Sequence, residues 1–179
     1  MLKKAIGHFK TITKHKILVM QGCFRIGLYK QGLLHDLSKY TPTEFLVGCR
    51  YYQGNRSPNN AEREATGVSM AWLHHKGRNR HHFEYWIDYG IKCDTIIKGV
   101  PMPRKYVAEM LMDRIAASKI YNGEKYTDHF PLEYYEKGKH HYMMHPETER
   151  ELEKLLRILD KKGEDYLYGY VKNVYLKGR

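Results

Sequence analysis

The chain has 179 residues, a length that suits one domain with a substantial core, and its formal net charge of +11 favours anionic partners such as phosphorylated small molecules, nucleic acid or a membrane surface. Its three cysteines, Cys23, Cys49 and Cys93, show no C-x-x-C spacing, which indicates neither a disulfide framework nor a zinc ribbon and favours a reducing cytosol. No stretch approaches the ~20 consecutive apolar residues that a membrane-spanning helix requires, so we expect a soluble, cytoplasmic protein without a membrane partner.

The first predicted element is a helix over residues 2–20, in which apolar residues recur at helical spacing between lysines. His15 follows Ile12 by three positions and precedes Val19 by four, so it lies on the apolar face of this helix. A single histidine on such a face is usually a core residue. A role for His15 as a metal ligand therefore depends on partners elsewhere in the chain.

Residues 23–40 are predicted to form one or two further helices, interrupted at a glycine. Near the end of this region an imidazole and a carboxylate stand side by side in His35 and Asp36, with Lys39 three positions after the carboxylate. Neutral imidazole and ionised carboxylate both bind divalent metals. Because adjacent helical side chains diverge by about 100°, a metal shared by the pair would have to lie close to the backbone. The alternative is that the pair merely ends a buried helix.

A new helix is predicted to begin at Thr41, which would be its N-cap, with Pro42 at the first helical position and Glu44 closing a capping box. We therefore interpret Glu44 as a structural residue, and the alternative is that a carboxylate this near His35-Asp36 reaches a site there. Turn-forming residues predict a loop at 53–59, and a further helix is predicted over residues 60–75.

Two pairs of adjacent histidines then bracket a short basic turn. The pairs are His74-His75 and His81-His82, and the turn between them contains Lys76, Arg78 and Arg80. A solvated basic loop is the simplest interpretation, but four histidines in nine residues are hard to explain in that way. They are easier to explain as metal ligands next to cations that bind an anion.

The last candidate ligand lies in a helix predicted from Val100 to Tyr121, after an irregular segment at 87–100. In this helix Asp113 is surrounded by apolar positions. A carboxylate that faces a core is costly unless it is paired or bound to a cation. A salt bridge to Arg114 at the edge of the helix is the alternative.

The C-terminal third is predicted to be helical and peripheral to the site. It contains a short helix at 131–137, an amphipathic helix at 146–161 ended by Gly163, and a last helix that begins near Tyr166. No segment shows convincing strand alternation. The predicted fold class is therefore all-α, a single-domain helical bundle.

The candidates occur in a fixed order along the chain: a histidine, a His-Asp pair, two later histidine pairs and a distal aspartate. This order resembles the HD-domain superfamily of metal-dependent phosphohydrolases. The segment Leu33-Leu34-His35-Asp36-Leu37-Ser38-Lys39 resembles the apolar-apolar-His-Asp-x-x-Lys signature of that superfamily, and Gly99-Val100-Pro101-Met102-Pro103-Arg104 resembles its Gly-x-x-Pro approach to the last helix. The resemblance covers roughly residues 8–122, and the spacing of the two histidine pairs departs from it.

The resemblance implies a helical bundle around one or two divalent metal ions, with Fe, Mn, Zn, Co and Mg all open. It divides the chain into an HD-like metal-binding domain at 1–125 and a C-terminal helical extension at 126–179, packed on the same domain. One metal would be held by His15, His35, Asp36 and Asp113. A second would be held by one histidine of each later pair, with Asp36 as the bridging ligand.

The choice within each pair rests on helical position. His74 lies four residues after Met70 and three after Ala71, so we predict that His74 and His81 bind the second metal. Catalytic roles then fall to Asp36, His75 and His82, and the substrate phosphates are expected to bind Lys39, Lys76, Arg78 and Arg80. Trp72, Trp86 or a tyrosine would stack on a nucleotide base.

The function expected from this resemblance is hydrolysis of a nucleotide or another small phosphate ester. Two other classes stay open. One is a di-iron oxygenase built on the same ligands, which bound iron and oxygen-dependent activity would identify. The other is a non-catalytic HD-like protein that binds nucleic acid or another ligand, which salt-dependent binding to DNA or RNA would identify.

Overall fold

The apolar and basic residues of the N-terminal region form a single helix, α1, that reaches from Leu2 to Arg25. A computed structural model describes residues 2–91 and 96–178, and within these residues the fold is all-α, as predicted. The helices that follow α1 are α2 (Tyr29–Leu34), α3 (Pro42–Tyr51), α4 (Pro58–Thr66), α5 (Met70–Lys76), α6 (Arg104–Asn122), α7 (Phe130–Gly138) and α8 (Pro146–Tyr170). No helix in residues 2–91 and 96–178 has the length and apolarity needed to cross a bilayer.

The core forms where α1, α6 and α8 pack against one another. Val19 of α1, Leu111 of α6 and Leu155 of α8 are fully buried in one hydrophobic cluster. Burial of a side chain of this size stabilises the fold by roughly 1.5–3 kcal/mol. The C-terminal helix α8 therefore shares a core with the helices that carry the candidate ligands.

The single helix predicted over residues 60–75 is wrong, because the chain folds there as two helices. Gly67 adopts a left-handed conformation with φ of +81° and ends α4. The start of α5 is then fixed by the buried carboxylate of Glu62, which accepts hydrogen bonds from the Ser69 hydroxyl (2.6 Å) and the Met70 backbone N–H (3.2 Å).

One further segment differs from the sequence prediction, and one predicted boundary is confirmed. A two-stranded antiparallel hairpin, β1 (Ile87–Tyr89) and β2 (Ile97–Gly99), occupies part of the segment predicted to be irregular. Each strand has three residues, which is too short for an alternating pattern to be recognised. At Gly163 the backbone leaves the helical conformation (φ 79°, ψ 172°), so α8 consists of two helical segments joined at a kink, in agreement with the predicted end of one helix at Gly163 and start of a last helix near Tyr166.

His8 shows how closely α1 and α3 approach each other. Its ring is buried and packs against Phe45 and Tyr52, with ring centroids 5.5 and 5.9 Å away. Burial, helped by the charge of Lys39, lowers the pKa of His8 to about 4. A side chain at Gly48 of α3 would overlap the Nε2 and Cε1 atoms of this ring. His8 is therefore a neutral core residue, and Gly48 is required for the close packing of the two helices.

We predict that Gly48→Ala destabilises the protein by about 1–3 kcal/mol, because the buried His8 ring must move to accept the methyl group. Gly169→Ala is the matched control. Gly169 lies in α8 with open space around its Cα, so alanine there is expected to be neutral or to stabilise by up to about 1 kcal/mol. Denaturant unfolding of the two variants measures both effects, and equal stabilities would contradict the prediction.

Candidate metal centre

The His35-Asp36 pair lies in a break between two helices, not within either one. Helix α2 ends at Leu34 and a short 3₁₀ helix begins at Leu37. Asp36 has a left-handed backbone (φ 54°) and is the sole non-glycine residue with positive φ among residues 2–91 and 96–178. Aspartate tolerates this conformation better than most residues. The break removes the 100° divergence expected of helical neighbours and brings His35 Nε2 within 3.3 Å of Asp36 Oδ2.

A lysine of α1 stabilises this break. The Nζ atom of Lys16 donates hydrogen bonds to the backbone carbonyls of Leu33 (2.7 Å) and His35 (2.9 Å). These carbonyls lie where α2 ends, and a cation there satisfies acceptors that the helix leaves unpaired. Lys16 thereby links the backbone of the His-Asp pair to the same helix that carries His15.

Four predicted residues converge in a first group of ligands. One ligand atom from each of His15, His35, Asp36 and Asp113 lies within 4.8 Å of all the others. His15 Nε2 is 2.8 Å from Asp113 Oδ1 and 3.7 Å from Asp36 Oδ2. The alternative of a salt bridge between Asp113 and Arg114 does not occur, because Asp113 faces the histidines and the Arg114 guanidinium lies over the Tyr142 ring at 5.3 Å.

A second group shares Asp36 with the first. It consists of Asp36, His75, His81 and His82, whose ligand atoms also lie within 4.8 Å of one another. His75 Nε2 and His81 Nε2 are 3.3 and 3.4 Å from Asp36 Oδ1, whereas the first group faces Asp36 Oδ2. The two oxygens of one carboxylate are thus directed to two separate sets of nitrogens.

Five of the atoms that meet in these groups are buried and lack hydrogen-bond partners. They are His35 Nε2, His75 Nε2, His81 Nε2, His82 Nε2 and Asp36 Oδ1. Folded proteins leave few buried polar atoms unpaired, because each one costs roughly 1–3 kcal/mol. A cluster of five such atoms that face one another is the arrangement that a bound cation satisfies. The residues present therefore fit one or two divalent metals.

Electrostatic interactions keep the shared carboxylate ionised. Burial raises the pKa of Asp36, but the positive charges of His35, Lys39 and His75 outweigh burial and hold that pKa well below its usual range. The Lys39 ammonium lies 2.6 Å from Asp36 Oδ2. Asp36 is therefore a carboxylate anion before any metal binds.

The histidines divide into two classes by protonation. Burial lowers the pKa of His15, with Lys39 adding to the effect, and burial together with His81 and His75 lowers the pKa of His82 well below its usual value. For His35 and His75 burial also acts to lower the pKa, but the charge of Asp36 outweighs it and raises both values. In the metal-free protein the surroundings therefore favour the neutral rings of His15 and His82 and the protonated rings of His35 and His75.

Two buried glutamates behind the histidines were not identified as site residues from the sequence. Glu44 Oε2 accepts a hydrogen bond from His75 Nδ1 (2.8 Å), and Glu109 Oε1 accepts one from His35 Nδ1 (3.0 Å) and lies 3.2 Å from His81 Nδ1. The predicted capping box does not form, because the Thr41 hydroxyl donates to the Ser38 carbonyl instead. The spacing of Glu109 four residues before Asp113 on α6 was the available signal, since it places both on one helix face.

The choice of His74 as a metal ligand is corrected by the structure. His75 lies in the second group, whereas His74 Nδ1 is 2.7 Å from Glu44 Oε1 and belongs to neither group. Met70 opens α5 and is 60% exposed, whereas Ala71 is 2% exposed. The buried face therefore runs from Ala71 to His75, four residues later. His82, to which the sequence assigned a catalytic role, also lies among the ligands of the second group.

The basic turn does not converge on the site in the predicted way. Arg78 donates to the His74 carbonyl (3.4 Å) at the end of α5, and Arg80 donates to the Tyr106 hydroxyl (3.4 Å). Lys76 is half-buried and forms no hydrogen bond or salt bridge within residues 2–91 and 96–178. Of the four cations predicted to bind phosphate, Lys39 contacts a ligand of the centre.

The two tryptophans differ in their relation to the centre. Trp72 packs edge-on against the His82 ring, with centroids 4.7 Å apart. Trp86 instead packs against Tyr85 and Tyr106 and donates to the Arg80 carbonyl at 2.7 Å. Trp72 therefore helps to enclose the second group of ligands, and Trp86 supports the basic turn.

The sequence model of a family of unknown function, DUF5662, matches residues 4–158, which include every member of both ligand groups. The chain belongs to this family. No curated protein and no solved structure matches it. The assignment of chemistry to this DUF5662 chain therefore rests on the geometry described above.

We predict that His75→Ala lowers the metal bound by this DUF5662 chain from about two ions to about one, because it removes a ligand of the second group and leaves the first intact. His74→Ala is the matched neighbour and should leave the metal content unchanged. Elemental analysis of both variants provides the measurement. Loss of an ion from His74→Ala, with retention of both in His75→Ala, would reverse the assignment.

Metal binding is also predicted to release protons near neutral pH. His35 and His75 have raised pKa values without metal and must become neutral to bind it, so about one proton leaves each ring. Apparent affinity should therefore weaken as pH falls, and proton release should decline as pH rises through the raised pKa values. Metal titration calorimetry in two buffers of different ionisation enthalpy measures the release. Identical heats in both buffers at pH 7 would contradict the prediction.

Proposed function

We propose that this protein is a metal-dependent phosphohydrolase of the HD-domain type that acts on a nucleotide or another small phosphate ester. One observation carries the proposal. The buried Asp36 carboxylate directs one oxygen to the first ligand group and the other oxygen to the second. Two adjacent divalent metals that share a ligand are a recurrent arrangement in enzymes that transfer or hydrolyse phosphoryl groups.

The ligand types narrow the choice of metal. The two groups together supply five imidazoles and two carboxylates. Imidazole nitrogen suits Mn, Fe, Co or Zn, whereas Mg prefers an oxygen environment and retains several waters. Of the five metals left open by the sequence, Mg is therefore the one that this donor set favours least.

The metals and the protein would contribute different parts of the hydrolytic reaction. Divalent metals would supply Lewis acidity towards phosphoryl oxygens and lower the pKa of water. The protein supplies a buried setting for the metal ligands, because His35, Asp36, His75 and His81 are each at most 2% exposed. Low solvent access strengthens electrostatic interactions among groups buried in this way.

Lys39 is the residue that we assign to phosphate binding. Its ammonium contacts Asp36 Oδ2, and its side chain is 27% exposed, so it reaches from the buried carboxylate towards solvent. A cation on Asp36 would free this ammonium for an oxygen of the substrate. The roles first assigned to Arg78 and Arg80 are not part of this proposal, because both guanidinium groups have partners outside the ligand groups.

The proposal is tested with protein purified without chelator. Elemental analysis should find about two divalent ions per chain, and the protein should hydrolyse members of a panel of nucleoside monophosphates and p-nitrophenyl phosphate. Lys39→Ala should raise KM by about 10- to 100-fold at unchanged metal content, which corresponds to loss of one charge-assisted hydrogen bond of about 1.5–3 kcal/mol. Asp36→Asn should lose both metals and all activity.

The other classes are separate outcomes of the same experiment. Bound iron, oxygen uptake and no hydrolysis would replace the proposal with a di-iron oxygenase. Absence of metal, together with salt-dependent binding to DNA or RNA, would replace it with a non-catalytic binding protein. A metal-loaded protein that is inactive on the whole panel would leave the metal centre in place and remove the phosphohydrolase assignment.

A further inference from the structure

We infer that Glu109 is a positioning residue that couples the two proposed metal sites, so that neither reaches full affinity without it. This inference rests on the metal centre of the proposed function but not on its reaction. The observation behind it is that one carboxylate oxygen, Glu109 Oε1, lies 3.0 Å from Nδ1 of His35 and 3.2 Å from Nδ1 of His81, one histidine of each ligand group.

The two histidines belong to different groups. His35 is a member of the group completed by Asp113, and His81 is a member of the group completed by His82. Their Nδ1 atoms lie 3.0 and 3.2 Å from Glu109 Oε1, and their ring centroids are 4.3 Å apart. Asp36 contacts the Nε2 side of both rings, while Glu109 contacts the Nδ1 side. The rings are therefore held between two carboxylates.

Hydrogen bonds to Glu109 determine which nitrogen of each ring is free to bind metal. A carboxylate only accepts hydrogen bonds, so both Nδ1 atoms must carry the proton, and the neutral rings then present Nε2 lone pairs. Those Nε2 atoms are the buried atoms that lack partners. Partners of this kind fix ring orientation and raise ligand basicity, and their loss typically costs about 10- to 100-fold in metal affinity.

A third metal between His35, His81 and Glu109 is a competing interpretation, because atoms of these residues also lie within 4.8 Å of one another. The Nε2 atoms of both rings face Asp36, where the two proposed metals would bind. A neutral imidazole that binds a metal through Nε2 carries its proton on Nδ1, so Nδ1 has no lone pair for a third ion. With their Nε2 atoms directed at Asp36, both rings have Nδ1 protons available to donate.

Glu44 provides a comparison within the same protein. It is buried like Glu109, but it contacts only one member of the ligand groups, His75. Its second partner, His74, lies outside both groups. Loss of Glu44 should therefore weaken one metal, whereas loss of Glu109 should weaken both.

The position of Glu109 on α6 explains why it can act on both groups at once. Asp113, a ligand of the first group, lies one turn further along the same helix. Helix α6 is packed into the core on both sides of Glu109 by the fully buried Ala108 and Leu111. The helix therefore holds the carboxylate in place. Through its contacts with Nδ1 of His35 and His81, the carboxylate in turn fixes the orientation of two rings that lie in irregular segments.

The experiment compares variants by stepwise binding of Mn²⁺ or Zn²⁺ to protein stripped of metal, in competition with a chelator of known affinity. Glu109→Leu should weaken both binding steps by about 10- to 100-fold. Glu109→Gln keeps an acceptor oxygen without its charge and should fall between Glu109→Leu and the wild type. Glu44→Gln should weaken one step only. Glu164→Gln is the control for loss of a partly buried carboxylate, because Glu164 accepts from Tyr126 and Tyr168, away from both groups.

A second measurement does not depend on metal affinity. In nitrogen-15 spectra of the metal-loaded wild type, His35 and His81 should carry their protons on Nδ1, and Glu109→Leu should remove the slowly exchanging signals of both rings. Thermal unfolding of each metal-free variant verifies that it is folded. Unchanged binding in Glu109→Leu, or an effect on one step alone, would overturn the coupling. A wild type that binds no metal would instead refute the proposed centre itself.

Discussion

The proposed centre depends on the position and conformation of one carboxylate. Asp36 occupies a break between two helices, in a left-handed conformation that few non-glycine residues adopt. That conformation turns the side chain inwards beside His35 and allows each oxygen to face a different set of nitrogens. The hydrogen bonds of Lys16 to the backbone of the break hold it in place. A strained backbone that is supported by its surroundings is a frequent feature of functional sites.

The second constraint is the cost of burying charge. Two carboxylates and five imidazoles meet in the ligand groups, mostly in the interior, where unpaired charges are unstable. In the metal-free protein the pKa values of His35 and His75 are raised, and the Lys39 ammonium contacts Asp36. Both effects lower the free-energy cost of burying these groups when no metal is bound. They also mean that metal binding must displace protons and a lysine, so that affinity is linked to pH.

The histidine ligands are oriented by two buried glutamates that contact their Nδ1 atoms. Glu44 and Glu109 are buried carboxylates whose partners are ring nitrogens, and each has a pKa lowered by those partners although burial acts in the opposite direction. They lie on regular helices, α3 and α6, whereas His35, His81 and His82 lie in irregular segments. Glu109 on helix α6 thus orients two ligands, His35 and His81, that lie in irregular segments, whereas Glu44 on α3 orients His75 of helix α5. This division explains how short and irregular segments can present a precise set of nitrogens.

The sequence by itself determined the fold class and most members of the site. Periodic apolar residues predicted α1, α6 and α8. Metal-ligand chemistry marked His15, His35, Asp36 and Asp113 as candidates, and the resemblance to the HD-domain superfamily implied that they form one ligand set. It did not determine which histidine of the first pair faces inwards, because the burial of α5 begins at Ala71 and not at its first residue, Met70.

Only the tertiary structure identified Glu44 and Glu109 as partners of the ligands. Only the structure, too, showed that Lys39 contacts a ligand of the centre whereas Arg78 and Arg80 do not. A glutamate that caps a helix and one that orients a histidine look the same in sequence. The difference between them lies in which side chains the packing of distant helices places within about 3 Å of the carboxylate.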